Sequence, residues 1–93
     1  MTIKRLLIAN RGEIASRIIS SAHDMGISCV AIYTEADKDT PYVREADQAF
    51  KLSDSYLNSK EILDIALKSN SDAIHLATAF YLKMQLSPIK LKN

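Results

Sequence analysis

The chain has 93 residues and a net charge of +1, with 47% hydrophobic and 25% charged residues. That is the balance of one ordinary globular domain with one modest core. It gives no electrostatic reason to expect nucleic acid or an acidic membrane surface as a partner. The single cysteine, Cys29, rules out an internal disulfide and fits a reducing compartment. Lys4 and Arg5 precede an apolar run, Leu6 to Ala9, that is too short for a signal-peptide core. No stretch has the length of a membrane span. The expectation is a cytoplasmic protein.

Ile3 to Ala9 reads as a short buried strand, an apolar run bounded by charge and turn residues. Asn10, Arg11 and Gly12 form the turn. From Glu13 to Met25, the residues Ile14, Ala15, Ile18, Ile19 and Ala22 fall on one helical face. Gly26 supplies a left-handed stop. Ile27 to Tyr33 is a second strand, continuous in its apolar character, as expected where both faces are covered. Strand, helix and strand within about thirty residues make a βαβ unit with parallel strands.

Glu35 to Glu45 is polar, contains Pro41, and reads as a loop with a short helical turn. Ala46 to Leu52 holds a short third strand, and 53–59 is a connection. Asn58 with Glu61 has the spacing of a capping box. Ile62, Leu63, Ile65, Ala66 and Leu67 then give a second helix ending near Asn70. Ala73 to His75 begins a fourth strand. The expected fold class is α/β, an incomplete open parallel sheet with flanking helices.

Open α/β sheets bind ligands beyond the carboxyl ends of their strands. The turn there contains one glycine, whereas a dinucleotide fingerprint needs three and a phosphate loop needs its own lysine. Asn10, Arg11, Gly12, Glu13, Glu35 and His75 are therefore weak cofactor-binding candidates, and architecture is the plainer role for the turn. Arg11 pairs with Glu13 in one reading; in another, Glu13 favours the positive end of the helix. Glu35 ends strand two, where an acidic group holds a ribose in dinucleotide folds. His23 reads as an exposed surface histidine and Cys29 as a small core residue. No catalytic residue and no metal-ligand spacing emerges.

The run from Ile8 to Ala15, with Arg17 and Ile18, resembles the start of the biotin carboxylase family. That family includes the biotin carboxylase subunits and domains of acetyl-CoA, propionyl-CoA, methylcrotonyl-CoA, pyruvate and urea carboxylases. Gly26-Ile27, Val30 to Tyr33, Glu35-Ala36-Asp37, Ala46-Asp47, Ser55 to Asn58 and Asp72 to His75 follow in the family's order. The stretch around Lys51 to Ser53 is several residues shorter than is usual. The resemblance implies a Rossmann-like domain placed before an ATP-grasp region. Such enzymes use ATP, magnesium or manganese, and bicarbonate to carboxylate biotin carried on a partner domain or subunit. Most of those contacts belong to the ATP-grasp region, so this chain is expected to bind none of these cofactors itself and to be inactive alone. Family dimers use the face of the first helix, where Ser20 replaces a frequent basic residue, which weakens the case for a dimer. A free-standing nucleotide-binding or carboxylase-docking module and an inert translated remnant are the other readings.

All eleven acidic residues lie between Glu13 and Asp72, and only lysines continue beyond. After His75 the family pattern runs Pro-Gly-Tyr-Gly-Phe-Leu-Ser-Glu-Asn-Ala, but this chain runs from Leu76 to Gln85 without a glycine. Removing one base from the proline codon converts suitable family codons into Leu-Ala-Thr-Ala-Phe-Tyr-Leu-Lys-Met-Gln, which is this chain's order. The expected organisation is an α/β domain over 1–75 and an out-of-frame tail over 76–93.

Overall fold

The computed structural model describes residues 3–53 and 59–75, together with the backbone of 80–82. Nine segments follow in chain order. The strands are β1 (Arg5–Ile8), β2 (Ser28–Tyr33), β3 (Gln48–Lys51), β4 (Ala73–His75) and β5 (Phe80–Leu82). The helices are α1 (Gly12–Asp24), α2 (Pro41–Glu45) and α3 (Ser59–Lys68), with a 3-10 turn at Glu35–Asp37. The sheet order is β3-β2-β1-β4-β5. The first four strands are parallel, and β5 pairs antiparallel with β4 at the edge. The expected open parallel sheet is present, with the antiparallel strand as an addition that lies beyond residue 75.

Strand alternation divides the core in two. Leu6, Ile8, Cys29, Ala31 and Ala73 pack with Ala15, Ile19 and Ala22 of α1 and with Tyr42. Leu7, Val30, Ile32 and Ile74 face the other way, against Ile62, Ile65 and Ala66 of α3 and Leu52. On β2 the small residues, Cys29 and Ala31, face α1, and the larger Val30 and Ile32 face α3. Because both faces are covered, β2 reads as one unbroken apolar run in the sequence.

Two residues of the expected helical faces lie outside the core. Ile14 is 57% exposed and Leu67 38% exposed. Ile14 sits in the first turn of α1, beside an open hollow of about 560 Å³ shared with Ile3, Ile18, Met25 and Ile27. Leu6 of β1 and His75 of β4 also line this hollow. Asn58 lies outside the described residues, as does the motif from Ser55 to Asn58. The other half of the expected capping box, Glu61, accepts hydrogen bonds from the backbone N–H and hydroxyl of Ser53.

Both long helices end in the same way. The N–H of Gly26 donates to the carbonyl of His23, and that of Ile27 to Ala22. In α3 the N–H of Asn70 donates to Leu67 and that of Ser71 to Ala66. This double bond is a Schellman closure, and it needs a left-handed residue after the cap. Gly26 at φ +78° and Asn70 at φ +58° supply it. Each chain turn then enters its strand at once, with Ser28 N–H bonded to Lys4 O and Asp72 N–H to Arg5 O.

A Cβ at position 26 meets nothing within 4 Å, so Gly26→Ala carries only the backbone cost of positive φ. The expected loss is about 1–2 kcal/mol, read as a lower urea midpoint at unchanged slope. Asn70→Gly should change stability by less than about 1 kcal/mol.

Candidate functional site

The sheet order places a topological switch point between β1 and β4. From β1 the chain moves outward through α1 to β2, and from β3 it crosses back through α3 to β4 on the other side of β1. Open α/β sheets offer their ligand crevice beyond the carboxyl ends of the strands at such a point. Here those ends carry Asn10 and His75. The His75 Nδ1 and the Asn10 Oδ1 are 3.0 Å apart, and the Ala9 N–H donates to the His75 carbonyl at 2.9 Å. Asn10 is buried and His75 partly so. His75 had no partner nearby in sequence; the fold supplies one from a turn 65 positions earlier.

Arg11 does not turn to Glu13. Its Nε and Nη2 donate to the two Asp37 carboxylate oxygens at 2.8 and 3.3 Å. This two-pronged pair ties the turn after β1 to the turn after β2. Asp37 is largely buried, and its carbonyl also receives the Thr40 hydroxyl. Gly12 opens α1 at φ +59°, a conformation that disfavours other residues. Glu13 lies in the first helical turn, where its charge suits the dipole. Glu35 lies in the 3-10 turn with Lys38 and Lys51 as ion partners. Hydrogen bonds from those two ammonium groups hold its carboxyl well below the usual carboxylate range.

A second grouping lies on the α1 side. Asp47, just before β3, accepts the Cys29 N–H at 2.7 Å and stands 2.9 Å from the His23 Nε2. The Cys29 bond, then His23, lowers the Asp47 carboxyl from its ordinary value. Burial, and then the charge of Asp47, pushes the Cys29 thiol up to about 11. His23 is exposed, as expected from the sequence, and meets Asp47 across the fold. The three groups come from α1, β2 and the approach to β3, so no short motif could announce them.

The strand order and flanking helices define an open, mainly parallel α/β domain. The family model described as "Biotin carboxylase, N-terminal domain" matches residues 2–83. The chain therefore belongs to the biotin carboxylase N-terminal domain family. "Biotin carboxylase 1" of Bacillus subtilis is 51% identical over an 83-residue alignment that covers 84% of this chain and 18% of that protein. The "Methylcrotonoyl-CoA carboxylase subunit alpha, mitochondrial" of Glycine max is 43% identical over 84% of this chain and 11% of its own length. Among solved structures, the biotin carboxylase–β,γ-ATP complex from Campylobacter jejuni aligns with TM-score 0.78 and 40% identity, over 85% of this chain and 19% of that one. The urea carboxylase of Kluyveromyces lactis aligns with TM-score 0.81 and 32% identity, over 96% and 9%. This chain spans less than a fifth of the length of the curated relatives it matches.

Arg11→Ala should lower stability by about 1–3 kcal/mol, because it strips a largely buried carboxylate of a charged partner. Arg11→Lys should recover only part of that loss, since an ammonium does not reproduce the two-pronged geometry. Urea unfolding of the two variants checks both statements.

Proposed function

We propose that residues 1–75 are the N-terminal α/β domain of an ATP-dependent biotin carboxylase, and that this chain performs no carboxylation alone. The observation that supports this most is the family match over 2–83 set against the 18% of Biotin carboxylase 1 that the chain spans. In the proposed whole enzyme, ATP, magnesium or manganese, bicarbonate and biotin are held by an ATP-grasp region that follows this domain. Its partners are other carboxylase subunits or a biotin carrier domain, in the cytoplasm, with neither nucleic acid nor membrane involved. Among the described residues, no helix is long and apolar enough to cross a membrane.

The residues of the switch point support an architectural role. Arg11, Asn10 and His75 are each engaged by protein groups, and Glu35 by two lysines. The tail from 76 is, in this proposal, the product of a one-base shift. The family match extends to residue 83, past the proposed slip. The nucleotide sequence around codon 76 decides the point: the shifted frame should read on into an ATP-grasp domain, and no such domain in any frame would defeat it.

Calorimetric titration of the full chain with ATP, beside an assay for ATP-dependent carboxylation of free biotin, tests the activity. The expected result is a cooperatively unfolding protein with neither saturable ATP binding nor carboxylation. Saturable binding would instead establish a free-standing nucleotide module, and loss of any unfolding transition would establish a remnant.

A further inference from the structure

We propose that His23, Cys29 and Asp47 form a binding site for a zinc-like divalent transition metal. One donor atom from each residue lies within 4.8 Å of the others. They are an imidazole nitrogen, a thiol sulfur and a carboxylate oxygen, a set suited to zinc and its neighbours rather than to magnesium or calcium. Zinc holds sulfur at about 2.3 Å and nitrogen or oxygen at about 2.0–2.2 Å. Ligand atoms around it therefore stand about 3.3–3.6 Å apart in a tetrahedral arrangement. The His23 and Asp47 atoms, 2.9 Å apart, need to separate by only a few tenths of an ångström. The sulfur has to close by at most about 1.2 Å to reach the roughly 3.6 Å spacing, from a separation within 4.8 Å, a movement within reach of a side-chain rotation.

The framework holds these groups where they are. Asp47 is oriented by the Cys29 N–H, so the carboxylate and the cysteine share one anchor. Cys29 belongs to β2, a strand paired on both sides. His23 sits in the last turn of α1, just before the Schellman closure. The sulfur is buried, whereas His23 and Asp47 face solvent, which leaves an entry path from one side. A hollow of about 340 Å³ adjoins His23 and is bordered by Asp24 and Glu45. Those two carboxylates add negative potential beside His23. Three protein ligands leave a fourth position for water, the arrangement of open zinc sites. On binding, the Cys29 S–H bond breaks, the proton leaves to solvent, and the thiolate electron pair forms the metal–sulfur bond. No oxidation or reduction is involved. The site lies away from the β1–β4 switch point and does not depend on the carboxylase reading.

Cobalt(II) titration of the full reduced chain, followed by absorption, tests the site. Cys29 is the only cysteine, so a thiolate-to-cobalt band in the near ultraviolet reports this sulfur and no other. The expected result is a saturable band with visible transitions of tetrahedral intensity, removed by stoichiometric zinc. Cys29→Ser should abolish the near-ultraviolet band. His23→Gln, a change at an exposed side chain that leaves the core untouched, should weaken cobalt binding tenfold or more, while His75→Gln should not. A chain that gives no thiolate band overturns the proposal. So does a band whose midpoint is unmoved by His23→Gln.

Discussion

The carboxylate of Asp72 accepts the backbone amides of both Lys4 and Arg5, at 2.9 and 3.0 Å, across 68 and 67 positions of sequence. The Arg5 guanidinium in turn donates to the Ser69 carbonyl. Together these contacts fix where β4 begins against β1, and so the register Leu6–Ala73, Leu7–Ile74 and Ile8–His75. A slip of β4 by one residue against β1 would turn Ile74 toward α1 and take it out of the layer under α3. At the other end of the same pair, Asn10 meets His75. The central strand is thus pinned to β4 at both ends, and the two core layers depend on that alignment.

This constraint explains why family motifs so far apart in the chain belong together. The turn after β1 and the segment Asp72 to His75 are the two sides of one junction. Arg11 extends it sideways to Asp37, so the loops after β1 and β2 become one rigid rim. Among the described residues, no buried side-chain polar atom lacks a hydrogen-bond partner. The rim is therefore tied together by groups of the protein itself. The grouping around Cys29 is built differently, with donors that face solvent and a buried sulfur behind them.

Much of the fold was legible from residue pattern. The apolar runs of β1 and β2, the periodicity of α1 and α3 and the left-handed stop at Gly26 correspond to strong local physics. The two helix ends illustrate the boundary. Gly26 announces its closure by residue type, whereas Asn70 performs the same closure with a side chain that tolerates positive φ. The exposure of Ile14 and Leu67 was hidden, because periodicity shows a face but not how far the neighbouring layer extends. The partners of Arg11, His23 and His75 were hidden for a related reason. Each lies on another element, and sequence spacing carries no information about pairings that only the sheet order creates.

Held against β4 by Asp72 and covered on both faces, β1 is expected to be the most stable part of the domain. Native-state amide hydrogen exchange, residue by residue, measures this most directly. The account predicts that the amides of Leu7, Ile8 and Ile74 exchange only through global unfolding, and that Asp72→Ala speeds these amides more than those between β2 and β3. Rapid exchange in β1 while α1 and β2 stay protected would contradict it.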